Sequence, residues 1–277
     1  MTMRWSVLLV CGCNQVLGLT PTRTDDARPA PKCVAGSLPS LYGQLHQLPL
    51  KYCNFYTPSF EAGIAVAECE DQLMSGPIDK RMSPLTLDAA PTRRERGTRL
   101  SAEGNRLLVP IFDSDLVQYE IAEYELQGNG TWASVGPATP YATILREFSA
   151  PSRAPDRRLV FQDYDNGLVL VELSDQSGSW REVTRYPVTE VGAMAKQLND
   201  PNLTPDGLRL VFRSETILPD GHYVAAAIFY AERATLDERF ANARVIDVAP
   251  HDVLYPYLTE DCGRLYFTAL ATVFYME

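Results

Sequence analysis

The chain has 277 residues, of which 25 are basic and 35 acidic, so its formal net charge is -10. A domain this acidic, with no evident basic stripe, is repelled by phosphate backbones, and we expect no nucleic-acid partner. No stretch approaches the roughly 20 consecutive apolar residues of a membrane-spanning helix.

The beginning of the chain has the order of an export signal. Arg4 precedes the apolar run Trp5–Val10, and Cys11-Gly12-Cys13 follows. A positive residue, an apolar core and a small residue before a cleavage point are typical of secretory signals, although this core is shorter than the usual ~7 to 15 residues. The alternative is that Cys11 and Cys13 form an ordinary pair in an N-terminal strand.

The same residues resemble a bacterial lipobox, in which a small residue precedes the cysteine that receives diacylglycerol. The resemblance implies that residues 1–12 are a lipoprotein signal peptide and that Cys13 is lipidated. Asn14 stands where the enterobacterial rule places the Asp that retains lipoproteins in the inner membrane. The implied location is therefore the outer membrane, facing the periplasm, with lipid as the membrane attachment.

Residues 13–31 are predicted to form a lipidated N-terminus and a flexible tether, because they are rich in Thr, Pro, Asp and Arg without apolar periodicity. Residues 32–277 are expected to form a single domain. Outside the lipobox, four cysteines remain, an even number in an oxidising compartment, and they permit three disulfide pairings. These are Cys33, Cys53, Cys69 and Cys262. A bridge to Cys262 would pin the two ends of the domain together.

A repeated phrase organises this domain. Its clearest copy is Thr204–Phe212, in which Pro-Asp-Gly forms a turn and an alternating Arg-Leu-Val-Phe run forms a buried strand. Related copies start near residues 57, 101, 154, 204 and 259. These intervals of about 50 residues are long enough for four strands per unit.

The segments after each copy are also alike, with strand, hairpin, strand, hairpin and a last strand that begins with Trp132 or Trp180 in two units. The phrase resembles the Pro-Asp-Gly signature of TolB-type, WD-repeat-like β-propellers. The resemblance implies an all-β propeller with one four-stranded antiparallel meander per blade. The spacing favours about five blades, with four or six as alternatives; an ordinary β-sandwich is the alternative fold.

The last copy is truncated. After Phe267, residues 271–276 supply one further strand and no more. A closed ring leaves no unprotected sheet edge. We therefore predict that N-terminal strands, within residues 40–56, complete the final blade.

Sequence motifs for chemistry are missing. The chain lacks the His-Glu-x-x-His, Gly-x-Ser-x-Gly, phosphate-loop and dinucleotide-binding motifs. His46, His222 and His251 are scattered, and the cysteine spacings do not fit zinc. Asp163–Gly167 faintly resembles a calcium loop, but Asn-Gly between apolar strands favours a hairpin. We expect no metal, no cofactor and no catalytic residue.

Two functions remain. One is a non-catalytic, lipid-anchored envelope protein whose propeller binds another envelope protein through loops at one end of the ring. The other is a carbohydrate-active hydrolase, or a glycan-binding protein, similar to five-bladed glycoside hydrolases. The second needs two or three carboxylates at the central funnel. The acids cluster instead in predicted turns, at Asp113, Asp115, Asp163, Asp165 and Asp220, so we favour binding.

Overall fold

The structure is a computed structural model that describes residues 44–88, 97–113, 118–136, 139–141, 145–153, 157–163, 168–175, 180–217, 223–246, 248 and 253–277. The predicted signal peptide and tether, Cys13, Cys33, His222, His251 and Tyr164–Gly167 lie outside these residues. No helix in the described ranges is long and apolar enough to span a membrane.

Five antiparallel sheets form the blades of a propeller. The chain starts with β1 (Leu45–Lys51), and blade 1 follows with β2 (Cys53–Ser59), β3 (Ile64–Cys69), β4 (Gln72–Pro77) and β5 (Ser83–Pro84). Blade 2 contains β6 (Arg99–Leu100), β7 (Arg106–Asp113), β8 (Gln118–Leu126), β9 (Trp132–Ser134) and β10 (Thr139–Tyr141). Blade 3 contains β11 (Leu145–Phe148), β12 (Arg158–Asp163), β13 (Val169–Asp175) and β14 (Trp180–Pro187).

A short helix, α1 (Val188–Val191), connects blade 3 to blade 4. Blade 4 contains β15 (Asn199–Leu203), β16 (Arg209–Ile217), β17 (Tyr223–Glu232) and β18 (Ala241–Ile246). Blade 5 contains β19 (Leu254–Leu258), β20 (Leu265–Ala269), β21 (Thr272–Met276) and β1. The first strand of each meander, namely β2, β6, β11, β15 or β19, is the innermost one.

The ring closes as predicted. β1 pairs antiparallel with β21, so that Leu45 lies opposite Met276 and Lys51 opposite Thr272. The N-terminal strand thus supplies the fourth strand that the truncated last repeat lacks. The last blade therefore combines strands from both ends of the described chain, and this pairing closes the ring.

Blade 2 departs from four strands. β9 and β10 both pair with β8, one along each half of it. Trp132 of β9 also forms a parallel bridge with Leu87, which follows β5 of blade 1. The outer edges of blades 1 and 2 are therefore joined by backbone pairing.

Side-chain packing between neighbouring blades forms the core. Five hydrophobic clusters each combine residues of two adjacent blades, and the one between blades 5 and 1 also includes Ala150 of blade 3. Every interface around the ring is therefore packed. In one cluster, Leu210 and Phe212 of blade 4 pack on Val160 and Tyr186 of blade 3. Trp132 and Trp180 are buried, in agreement with the packing role predicted for them.

The repeated phrase has a defined hydrogen-bond pattern. The Thr204 hydroxyl accepts the N–H of Arg209 at 3.1 Å and donates to Asp206 at 2.7 Å, and the Asp206 carboxylate accepts the N–H of Leu208. Gly207 has a φ of 73°, a conformation that glycine adopts without steric cost. The same hydroxyl and carboxylate bonds occur at Thr259 and Asp261. The phrase is thus a side-chain-capped hairpin turn between an innermost strand and the next one.

The equivalent hydroxyl residues in blades 1 and 3 are Ser59 and Ser152. Ser152 exchanges hydrogen bonds with Arg158, and Ser59 lies opposite Ile64 in the β2–β3 register. Each lies two residues from the copy start placed near 57 or 154. The blade 3 turn is one residue longer than that of blade 4, a difference that the Pro-Asp alignment conceals.

Candidate functional site

The ring has two distinct ends. Each innermost strand runs toward the hydroxyl-capped turn that follows it, so these five turns lie together at what we call the turn end. Their first residues are Ser59, Ser101, Ser152, Thr204 and Thr259. The opposite end, which we call the linker end, carries the β1–β2 link, the β3–β4 and β20–β21 turns, and the segment between α1 and β15.

Arg153 joins all five blades at the turn end. Its guanidinium contacts Glu61 of blade 1 at 2.7 Å, Glu103 of blade 2 at 3.3 Å and Glu260 of blade 5 at 2.7 Å. Arg153 belongs to blade 3, and its N–H donates to the carbonyl of Pro205 in blade 4 at 2.5 Å. One residue, through its side chain and its backbone N–H, therefore links the five turns around the axis of the ring.

The turns themselves are closely packed. The Ser59 hydroxyl donates to the carbonyl of Ala102 in the next blade at 2.5 Å. A Cβ built on Gly104, whose φ is 73°, would lie 2.4 Å from the Cβ of Ala62. Only a glycine fits at this position, because both the backbone angle and the neighbouring turn exclude a side chain.

Side chains of the innermost strands also contact one another across neighbouring blades. The rings of Phe55 and Tyr255 are 3.9 Å apart, and the guanidinium carbon of Arg99 lies 4.8 Å from the Phe55 ring centre. The Tyr257 hydroxyl donates to the Pro58 carbonyl at 2.9 Å, and burial raises the pKa of this hydroxyl. The side-chain amide oxygen of Asn202, Oδ1, accepts the N–H of Leu258. These contacts link neighbouring blades near the axis.

Among the side chains that the structure describes on the innermost strands, one carries a carboxylate, namely Asp200. It is 1% exposed, has a left-handed φ of 50°, and its Oδ2 lies 3.3 Å from Nε of Arg213. Glycoside hydrolysis uses two carboxyl groups, ~5 to 9.5 Å apart. The described side chains of these strands do not supply the second one. The side chains of Asp113, Asp115, Asp163, Asp165 and Asp220 lie outside the description.

The predicted site residues are only partly brought together. Cys53 and Cys69 form a disulfide between β2 and β3. Cys262, in the β19–β20 turn, is also disulfide-bonded. His46 stacks on Tyr275 with 4.6 Å between ring centroids, and its Nε2 lies 3.4 Å from a Glu277 carboxylate oxygen. The described residues contain no group of three His, Cys, Asp or Glu side chains able to hold a metal ion.

The linker end exposes large apolar side chains. The exposed fractions are 84% for Leu270, 64% for Tyr52, 61% for Met194 and 48% for Leu168. None of these exposed residues was predicted from the sequence. Leu270, for example, directly follows an apolar strand, and nothing in the local sequence marks it as exposed. Arg153 was not predicted either. The cluster around Arg153 does leave a trace in the sequence. When the repeats are aligned on their capping Ser or Thr, three turns carry a Glu and one carries an Arg within the next two residues.

Comparisons with known proteins concern the fold. Neither the protein-family models nor the curated proteins match the sequence. A candidate TolB from Agrobacterium tumefaciens is similar in structure, with a TM-score of 0.51 and 13% identity over 78% of this chain and 69% of that one. The catalytic domain of a GH62 α-L-arabinofuranosidase from Coprinopsis cinerea has a TM-score of 0.50 and 9% identity over 82% of this chain and 91% of that one.

A gluconolactonase from Xanthomonas campestris is more distant, with a TM-score of 0.47 and 14% identity over 84% of this chain and 88% of that one. At these identities a similar structure does not carry a function from one protein to another. Together with the five sheets and their closure, the likeness to the TolB candidate and the arabinofuranosidase identifies the chain as a five-bladed β-propeller.

Proposed function

We propose that this protein is a non-catalytic envelope module whose propeller binds another protein through its linker end. The observation that carries the proposal is the difference between the two ends. The turn end is tied together by Arg153 and its three glutamates. The linker end instead exposes Leu270, Tyr52 and Met194.

Single exposed apolar residues are ordinary on protein surfaces. Several large ones at the same end of a rigid ring are a better indication of a binding surface. Binding residues are also found disproportionately on loops that a rigid scaffold positions. The described linker-end residues fit both expectations, since they lie in links and turns between packed blades.

The protein is further proposed to be anchored by lipid at Cys13 and to face the periplasm from the outer membrane. β1 begins at the turn end, beside Met276. The described chain therefore enters the propeller at the end opposite the proposed binding surface. Such an arrangement leaves the linker end accessible to a partner.

Labelling of cells with a fatty-acid analogue tests the anchor. We expect label on the wild-type chain, recovery in the outer-membrane fraction, and loss of both in Cys13→Ala. Absence of label on the wild type would contradict the proposed lipid anchor. It would not bear on the proposed binding surface, which has its own test.

Site-specific photo-crosslinking in the envelope tests the binding surface. A photoreactive residue at Met194 or Leu168 should give a discrete crosslinked product, and the same residue at Phe60, which is 48% exposed at the turn end, should not. Equal products from both ends, or from the turn end alone, would contradict the proposal.

The second candidate is a carbohydrate-active hydrolase or glycan-binding protein, and the buried Asp200 near the axis is the observation that favours it. If this candidate is correct, purified protein should cleave an aryl α-L-arabinofuranoside or bind a glycan, and Asp200→Asn should abolish this. The non-catalytic proposal instead predicts no turnover above a buffer control. Turnover that Asp200→Asn removes would overturn the non-catalytic proposal.

A further inference from the structure

We infer that three turns at the junction of blades 5 and 1 form a docking patch for an apolar segment of a partner protein that carries basic residues beside its apolar ones. The patch consists of Tyr52, Glu70, Asp71, Leu270 and Ala271, and we call it the junction patch. This inference rests on the proposed function and specifies its surface and the chemistry of its partner.

Backbone hydrogen bonds hold the junction patch together. The N–H of Tyr52 donates to the carbonyl of Ala271 at 2.6 Å, and the Tyr52 carbonyl accepts the N–H of Glu70 at 2.9 Å. The β1–β2 link, the β3–β4 turn and the β20–β21 turn are thus joined through one residue. Because these backbone segments are already hydrogen-bonded to one another, Tyr52 and Leu270 can bind a partner without a large loss of conformational entropy in their loops.

The backbone of the patch is locally unfavourable. All five of its residues have a left-handed φ, between 50° and 62°, and none is glycine. Leu270-Ala271 and Glu70-Asp71 are the two-residue loops of hairpins whose flanking pairs are Ala269–Thr272 and Cys69–Gln72. Such loops favour Asn-Gly or Asp-Gly, because both central residues need a positive φ.

Leucine is a poor choice at such a position for folding. Non-glycine residues held there are disfavoured and are found where the surrounding structure imposes them, often at ligand-binding sites. A protein violates local rules mainly at functional or strained sites. Here the violation places the side chain of Leu270 at the tip of the turn, where it is 84% exposed. Neither turn chemistry nor core packing explains a leucine there, whereas an interface does.

Charge indicates the kind of partner. Glu70 and Asp71 are both exposed, and Glu70 is hydrogen-bonded to Tyr52, while Lys51, which precedes Tyr52 in the chain, is also exposed. The patch therefore has more acidic than basic groups at its edge, and the whole chain has a net charge of -10. Complementary charge steers association and suppresses wrong partners. An apolar segment flanked by Lys or Arg fits this surface, and a second copy of this acidic chain does not.

The test uses the double variant Leu270→Asn/Ala271→Gly, which installs the favoured turn and removes the apolar tip. Its thermal unfolding midpoint should rise by about 2 to 4 °C. A library of displayed random peptides, each about twelve residues long, is selected on the full-length chain. We expect enriched peptides that combine apolar residues with Lys or Arg and that bind the double variant about tenfold or more weakly.

Matched controls separate the patch from general effects. Glu70→Lys should weaken the same peptides, whereas Phe60→Ser, an exposed aromatic at the turn end, should leave their affinity unchanged. A variant that is more stable yet binds less tightly cannot be explained by misfolding. Peptides that lack basic residues, or that bind the double variant as tightly as the wild type, would overturn the inference, as would a selection that enriches nothing.

The outcome is distinguishable from failure of the proposed function. If envelope crosslinks from Met194 persist in the double variant at wild-type yield, the partner binds elsewhere on the linker end and only the junction patch fails. If crosslinks are absent from the whole linker end, the proposed function itself fails. A concentration-dependent dimer in which Leu270 is protected would also contradict the inference, because the occupant would be a second copy.

Discussion

Arg153 and Glu260 form an ion pair with 2.7 Å between Nη1 and Oε2, although 107 residues separate them in the chain. Arg153 lies in blade 3 and Glu260 in blade 5, so the pair crosses the axis of the ring rather than joining neighbours. Glu61 and Glu103 approach the same guanidinium from blades 1 and 2. This arrangement concentrates three carboxylates around one cation at the turn end.

Replacement of Arg153 by Met should destabilise the propeller in a salt-dependent way. Exposed ion pairs contribute only about 0 to 1 kcal/mol each, but the change also leaves three glutamates facing one another. We expect a loss of about 1 to 2 kcal/mol in urea unfolding at low salt, and a smaller loss at high salt. Arg239→Met, which removes the exposed pair with Glu190, is the control and should cost less than about 0.5 kcal/mol. Equal losses in the two variants would contradict the role of Arg153.

Glu172 is a buried carboxylate held between two arginines. It is fully buried and accepts hydrogen bonds from Arg158 at 3.1 Å and from the buried Arg233 at 2.7 Å, across the interface of blades 3 and 4. Removing one partner of a buried ion pair leaves uncompensated charge in the interior. Glu172→Gln should therefore cost about 3 to 5 kcal/mol in the free energy of unfolding.

Glu182→Gln provides the comparison for Glu172. Glu182 pairs with Arg185 at 2.9 Å, and both side chains are exposed. Its replacement should change stability by about 0.5 kcal/mol or less in the same denaturant titration. If Glu172→Gln were tolerated as well as Glu182→Gln, the buried triad would not stabilise the blade interface.

Alkaline pH should unfold the propeller. Burial raises the pKa of Tyr186 and of Tyr230 to about 12, and burial also raises the pKa of Tyr56 and Tyr266. In the unfolded chain a tyrosine has a pKa of about 10, so the unfolded state releases protons first as pH rises. The stabilisation is fully present below about pH 10 and is lost as pH rises through about 12.

Absorbance at the tyrosinate band, followed together with circular dichroism, checks this expectation. The buried tyrosines should ionise in the same transition that abolishes the sheet signal, and Tyr186→Phe should shift this transition to higher pH. A loss of sheet signal well below pH 10 would mean that other groups control the alkaline limit.

The Cys53–Cys69 disulfide should stabilise blade 1. The two cysteines are 16 residues apart, and in the chain-entropy description a loop of this length corresponds to about 3 kcal/mol. We expect Cys53→Ser/Cys69→Ser to lose about 2 to 3 kcal/mol in the free energy of unfolding in urea under oxidising conditions. Reduced wild type should lose at least as much, because reduction also breaks the disulfide of Cys262. Peptide mapping without reductant should recover residues 53 and 69 in one linked species.

Much of the fold follows from local sequence. Turn residues followed by period-2 apolar runs recur at similar intervals, and each such unit predicts a hairpin whatever its neighbours are. The shortened last copy left one strand missing, and β1 supplies it. The capping hydroxyl residues Ser59 and Ser152 lie two residues from the starts placed near 57 and 154, because the capping residue is recognised by its hydrogen bonds and not by the Pro-Asp pair beside it.

Much less of the candidate site could be predicted from the sequence. Nothing in the spacing of Glu61, Glu103, Arg153 and Glu260 shows that they meet, because the curvature of the ring, not the strand period, brings the turns together. Leu270 and Tyr52 lie in a turn and a link that come together only where the last blade meets the first. The sequence by itself determined the repeat, the strand order and the closing strand, since these depend on local alternation and turn chemistry. The tertiary structure decided which side chains meet near the axis and which end of the ring gathers exposed large apolar side chains, since both depend on how the blades are arranged around the ring.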